Sequence, residues 1–373
     1  ADHSIRIPRP DLSQTIGTPN ACSQGGCHDD KPLQWSVDAF TKWYGEAKKP
    51  HYGTTLAAGR EGRPEALGEL VRMAGDELYP AIVRATALTL LVGYPGEESA
   101  RTFALALVDE DALVRHTAVN DVYTSTPAEL AELLAPLLLD PIRAVRMQAA
   151  VQLADVPKEL LKPYQREALG KALGEYEEAM AYSLDFAHAG YNLGNLNTRL
   201  GDARSAERYY LSAIEIDDLF YPAKMNLGIL YNSTGRNTEA ERVFREVMEA
   251  DPEEFEVAYL LGLLLAELDR IDEAVEFLGI ASDGLPARSR AHYNYGLALQ
   301  ALGRLVEAER PLLKALENEP GEYDYLFALA DHYVNRGEWR RALIVADRMI
   351  VAQPENRLGS DIRALAEGEL RRN

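Results

Sequence analysis

The stretch Ala223-Lys224-Met225-Asn226-Leu227-Gly228-Ile229-Leu230-Tyr231-Asn232-Ser233-Thr234-Gly235-Arg236-Asn237-Thr238-Glu239-Ala240, running on to Asp251-Pro252, reads as two helices joined by a tight turn. Leu227 fills a core just ahead of Gly228, where two helices approach too closely for a larger side chain. Gly235 marks the turn, Ala240 is the small residue of the second helix, and Pro252 ends the pair. The same marks recur on both sides in steps of 34. Gly194, Gly228, Gly262 and Gly296 keep that step, with Ala330 in the fifth place. Ala206, Ala240, Ala274, Ala308 and Ala342 keep it too. Gly201, Gly235, Gly303 and Gly337 mark the turns, where Asp269 stands in once. Pro252, Pro286, Pro320 and Pro354 close the units, with Asp218 in the first, and Leu193, Leu227, Leu261, Tyr295 and Leu329 precede the small residue. A period of this size marks a helical repeat array. It predicts five units over 187–356 and a capping helix over 357–373 with a polar outer face.

These spacings resemble the tetratricopeptide repeat. The resemblance implies a superhelix whose concave face is lined by the first helix of each unit. Tyr191, Asn192, Asn195, Asn226, Tyr259, Tyr293 and Asn294 are then candidate groove residues. Aromatic and aliphatic groups in a groove suit an extended or helical peptide segment. Asn192, Asn226 and Asn294 share one position in their units, and the series is broken at Leu260 and Ala328. In some tetratricopeptide proteins an asparagine ladder there holds the backbone of a bound peptide; the other use of these side chains is to satisfy local polar groups. The basic clamp of chaperone adaptors is not evident, since Tyr191 and Glu256 stand where it wants lysine.

A second period lies upstream. Ile82-Val83-Arg84-Ala85, Leu113-Val114-Arg115-His116 and Ala144-Val145-Arg146-Met147 repeat the Val-Arg pair at intervals of 31. Helix-start signals precede each pair: Asp76 to Pro80, Asp109 to Asp111, and Asp140-Pro141. The pattern resembles short HEAT-like repeats, in which Val packs inward and Arg sits near the inter-helix turn. Three such units fit 56–160, and 161–186 reads as a linking helix from Pro163 to Ser183. The expected fold is all-α: an α-solenoid of HEAT-like helix pairs followed by tetratricopeptide repeats, with a small irregular segment over 1–55.

Composition narrows the function. The formal net charge is −20, which argues against nucleic acid and against an anionic membrane surface as the main ligand. Residues 1–55 carry equal numbers of acidic and basic groups, so the imbalance sits in the helical remainder, as a solvated face or as steering for a basic partner. No apolar run reaches the roughly 18 residues of a membrane-spanning helix. No nucleophile elbow, phosphate loop or His-Glu metal helix is found, so an enzyme is not expected.

The one cluster with ligand chemistry is Cys22-Ser23-Gln24-Gly25-Gly26-Cys27-His28. Three readings compete. Both thiols could form thioethers to a c-type haem with His28 as the proximal iron ligand, although the usual motif has two residues between the cysteines and this one has four. Zinc could take Cys22, Cys27, His28 and His3. A disulfide or two idle thiols is the third. The upstream Pro-rich segment predicts one amphipathic helix, Leu33 to Tyr44, with Trp35, Val37, Phe40, Trp43 and Tyr44 as candidate buried positions.

The surrounding residues add a resemblance. Asp2-His3-Ser4-Ile5-Arg6-Ile7-Pro8-Arg9-Pro10-Asp11-Leu12-Ser13, Gly17-Thr18-Pro19-Asn20-Ala21-Cys22, Cys27-His28-Asp29-Asp30-Lys31 and Lys49-Pro50-His51-Tyr52 resemble the end of the cytochrome domain in bacterial multihaem c-type cytochromes that carry HEAT-like and tetratricopeptide repeats downstream. The order of parts agrees along the whole chain, so the chain resembles that family's C-terminal portion. The resemblance implies one covalent haem c on Cys22, Cys27 and His28, with His51 or His3 as the second axial ligand. It implies an exported, periplasmic or extracellular electron-transfer subunit. Its partners would be cytochromes or complex subunits, and an oligomer or filament could form through His3. The alternative is a haem-free interaction adaptor with a disulfide or zinc at the cysteine pair. His116, His188, His292 and His332 fall in repeat helices and read as surface or packing residues.

Overall fold

The computed structural model describes residues 9–19, 28, 30–46 and 50–372. Among the described residues every regular element is helical and no strand occurs. The chain divides into two compact units, Ala1–Tyr182 and Ser183–Asn373.

In the first unit α1 (Pro10–Ile16), α2 (Leu33–Tyr44) and α3 (Tyr52–Arg60) lead into three helix pairs. These are α4 (Ala66–Gly75) with α5 (Ala81–Leu91), α6 (Glu97–Ala106) with α7 (Ala112–Asp121), and α8 (Pro127–Leu134) with α9 (Arg143–Gln152); α10 (Pro163–Ala181) follows. The Val-Arg pairs fall on the second helix of each pair. Val83, Val114 and Val145 are buried in one core with Leu88, Phe103 and Leu134. The arginines beside them act across units. Arg84 pairs with Asp109, and Arg115 Nε and Nη2 donate to Asp140 at 2.8 and 3.0 Å. Arg146 donates to both carboxylate oxygens of Glu175 on α10 at 2.6 and 2.8 Å. The first two arginines thus hold the acid that lies ahead of the second helix of the next pair, and the last one holds an acid on the closing helix. Asp111 caps α7 by accepting from the Leu113 N–H at 2.8 Å, and Asp140 accepts from the N–H of Ile142, the residue before α9, at 2.8 Å.

Helix α2 departs from the expectation for its side chains. Its buried residue is Ser36, whereas Trp43 and Tyr44 are 70% and 69% exposed and Trp35 is also exposed. Val37 and Phe40 are half-buried. The apolar positions follow the helical period, but α2 packs on the seven-residue α1, which is too short to cover the whole stripe.

In the second unit the first helices are α11 (Ala187–Arg199), α13 (Tyr221–Ser233), α15 (Phe255–Glu267), α17 (Ser289–Ala301) and α19 (Tyr323–Asn335). The second helices are α12 (Ala203–Ile216), α14 (Asn237–Ala250), α16 (Ile271–Gly284), α18 (Leu305–Asn318) and α20 (Trp339–Ala352), and α21 (Arg357–Arg372) packs on α20 and α19. Leu193, Leu227, Leu261 and Leu329 are buried; Tyr295 is half-buried and turns to an outer cavity. A Cβ at Gly194 would clash with the ring of Tyr210, and one at Gly228 with the ring of Phe244. At Gly262 and Gly296 it would meet Leu278 Cγ and Leu312 Cγ at 2.7 Å. The fifth unit has Ala330, and the position equivalent to those four large residues is Ala346. A larger residue on the first helix is matched by a smaller one on the second, which keeps the helices at one spacing.

Candidate functional site

The first helices of the second unit carry the candidate groove. Tyr191, Asn192, Asn195, Asn226, Tyr293 and Asn294 are half-buried, while Tyr259 is 7% exposed. At the N-terminal end the side chains form a network. Asn226 Nδ2 donates to Asn195 Oδ1 at 2.7 Å, and the Tyr210 hydroxyl donates to the same oxygen at 2.8 Å. Tyr191 meets the ring of Phe220 edge-on at 5.5 Å, and His188 lies against the same ring at 4.7 Å.

In the middle the arrangement centres on Tyr259. Its hydroxyl accepts from Asn294 Nδ2 at 2.8 Å, and the Arg288 guanidinium lies 4.3 Å above its ring while pairing with Glu256. Beyond it Tyr293 stacks at a tilt on Tyr325, 4.9 Å apart, with Arg290 at 5.6 Å over Tyr293. Burial pushes the phenols of Tyr259 and Tyr293 above their usual range, so both remain neutral hydroxyls at physiological pH. Two of the three asparagines of the ladder position therefore give an amide N–H to a groove neighbour. That use fixes the orientation of both amides.

Arg288 and Arg290 were not read as groove residues from the sequence. Their signal was local: both immediately precede the His292-Tyr293-Asn294-Tyr295 run of α17. Phe220, in the turn before α13, was missed for the same reason, because turn residues lie outside the helical register used to choose the lining.

The family comparison decides what this array is. Residues 187–218, 231–293 and 289–310 match tetratricopeptide-repeat families. The second unit is a tetratricopeptide-repeat array. Solved structures overlap this part of the chain. YrrB, a TPR protein with an unusual peptide-binding site, is 24% identical over 51% of this chain and 97% of its own, with a TM-score of 0.45. MamA 41-end from Desulfovibrio magneticus RS-1 is 23% identical over 45% of this chain and 93% of its own, at 0.40. Pseudomonas aeruginosa pilF is 22% identical over 50% and 90%, at 0.41. The sequence-family match, not these overlaps, carries the assignment. No curated protein matches this chain.

On the outer side of the tetratricopeptide array, a cavity of about 900 Å³ is lined by His292, Tyr295, Val306, Pro311 and Glu309 among others. His292 is buried there, with Nδ1 2.6 Å from Ser282 Oγ and Nε2 3.1 Å from the Pro286 carbonyl. A carbonyl only accepts, so Nε2 carries the proton and Nδ1 accepts from the serine hydroxyl. Asn318 Nδ2 donates to the same carbonyl at 2.9 Å, so the set pins the turn between α16 and α17.

Of the five residues of the Cys-His cluster and its axial candidates, Cys22, Cys27 and His3 lie outside the described residues. His28 is exposed, its ring 4.6 Å from that of Trp35. His51 precedes α3, and its Nδ1 accepts from the Gly53 N–H at 3.0 Å. That bond leaves the ring proton on Nε2, so in this arrangement neither nitrogen offers a lone pair to iron, and His51 does not fit a second axial position without leaving the cap. Among the described residues no three His, Cys, Asp or Glu side chains gather as a metal site would require.

Proposed function

We propose that this chain is a protein-interaction scaffold whose tetratricopeptide groove takes an extended peptide segment of a partner protein. The observation that carries the reading is the set around Tyr259. An aromatic ring is held at its hydroxyl by Asn294 and on its face by Arg288, in a row with Tyr293 and Tyr325. Groups already locked in place lose little entropy on binding, which favours them as anchors. Peptides selected from a random library by the full chain test it. Tyr293→Ala and Asn294→Ala, at half-buried positions, are expected to weaken the selected peptides by tenfold or more, about 1.4 kcal/mol or more. Equal binding by both variants would remove the groove from the reading.

A second reading rests on the Cys22, Cys27 and His28 motif. His28 stands exposed beside Trp35, an aromatic wall of the kind that could flank a porphyrin. In that reading the N-terminal segment holds one covalent haem c and the repeats dock it to other cytochromes or to a complex outside the cytoplasm. Haem would supply one-electron transfer; Cys22 and Cys27 would hold it, His28 would bind its iron, and His3, or His51 once released from its cap, would take the other axial position. Purified protein without a Soret band and without a covalent mass gain would leave the interaction scaffold alone.

A further inference from the structure

The fifth repeat contains a buried imidazole that the groove does not use. His332, in α19, is 0% exposed. The equivalent positions in the first three repeats are Leu196, Leu230 and Leu264, and the fourth has Ala298, all of them buried. Neither Nδ1 nor Nε2 of His332 has a hydrogen-bond partner. A buried ring whose two nitrogens meet no protein partner costs stability that leucine would not.

Its charged neighbours come from each element around it. Arg336 caps the end of its own helix, Glu309 is on α18, Glu338 in the turn before α20 and Arg341 on α20. These four already close on one another. Arg336 pairs with Glu309 and with Glu338, each at 2.8 Å, and Arg341 pairs with Glu338 at 2.8 Å and with Glu309. Helix α21 adds Ala366 and Ile362 to the same core, while its Arg363 pairs with Asp347 and Glu367. Tyr333 meets the imidazole edge-on at 5.5 Å. An imidazolium here would be a third cation beside two carboxylates that two arginines already share. Burial first, and then Arg336, hold the His332 imidazole below its usual pKa.

We propose that His332 is an acid-sensitive latch at the end of the groove: taking up a proton loosens α19, α20 and α21 while the four preceding repeats stay folded. Repeats contact only their neighbours, so a terminal unit opens without the rest. The opening reaches the groove, because Tyr325 on α19 is the ring that backs Tyr293. The sign follows from linkage. The opened imidazole, near 6.5, takes its proton before the closed one does. The closed end is therefore fully stable above about pH 6.5 and weakens below it, by up to tenfold in the opening equilibrium per pH unit.

Hydrogen exchange of the full chain at pH 7.5, 6.5 and 5.5, with times scaled to intrinsic exchange rates, tests this in wild type and in His332→Leu. Leucine occupies this position in three sister repeats, and His332→Met is a second control of similar volume. Between pH 7.5 and 5.5 the wild type is expected to lose up to about tenfold in protection over 323–372 and little over 187–318, and both variants to keep it. Three results would each overturn the proposal: no regional loss in the wild type, the same loss in both variants, or a loss spread evenly over all five repeats.

Discussion

At the scale of single residues, the array is governed by what fits between paired helices and by backbone handedness. Gly228 leaves room for the ring of Phe244, so Gly228→Ala pushes the ring out of place and is expected to cost about 1–3 kcal/mol in urea unfolding. The same substitution costs nothing of the kind in the fifth unit, where Ala330 is native and Ala346 is small. Asp269 holds a left-handed φ of 60° in a turn where the other units have glycine at 69–77°. Asp269→Gly relieves that strain and loses some backbone entropy to the unfolded state. The balance favours it, by about 0.5–1 kcal/mol, read as a higher midpoint in the same unfolding experiment. Both sites were legible in the sequence, because a steric requirement that repeats every 34 residues writes the same residue type each time.

At the scale of elements, the HEAT-like pairs are tied by arginines that reach from one pair to the next. Arg115 and Asp140 are 12% and 4% exposed on their side chains, and two parallel bonds join them. Removing one partner of such a pair leaves the other charge buried. Arg115→Ala is expected to cost about 3–5 kcal/mol, whereas Arg143→Ala, whose partner Glu178 is exposed, costs under about 1 kcal/mol. Calorimetry of the two variants would show the difference as a large and a small drop in melting temperature. The period of the arginines was visible in the sequence. Their partners were not: Asp109 and Asp140 lie 25 residues from their arginines, but the last arginine turns to Glu175, 29 residues on. Helix α2 gives the opposite lesson, since its period was right and the burial of its aromatic residues was not.

At the scale of the whole molecule, acidic residues outnumber basic ones by a formal 20, and some of the acids pair with arginines that join neighbouring tetratricopeptide repeats. Arg236 holds Glu207 at 2.8 Å and Arg270 holds Glu241 at 2.6 Å, each across a repeat boundary. These guanidinium bonds hold both carboxyls below the usual carboxylate range. A carboxyl with a lowered folded pKa contributes stability above its unfolded value, near 4.5, and loses it as pH falls through the folded one. The array is therefore expected to lose cooperativity between repeats below about pH 4.5, distinct from the His332 step, which begins near 6.5. Circular dichroism across pH 7.5 to 3 should show this lower step in wild type and in His332→Leu alike.

The sequence by itself determined the all-helical class, the tetratricopeptide period and the places where chains must turn or approach closely. Those follow from local rules: a helix needs its period, a tight contact needs glycine or alanine, a left-handed turn favours glycine. Only the tertiary structure decided which side chains answer which. It set Asn226 on Asn195 and Asn294 on Tyr259, put Arg288 over the same ring, spent His51 on a helix cap, and buried His332 beside four charges that satisfy one another. Each of those outcomes depends on partners brought in from other helices or from the turns between them. A repeat fixes the position of a side chain in its own helix, but the identity of what faces it comes from the neighbouring unit.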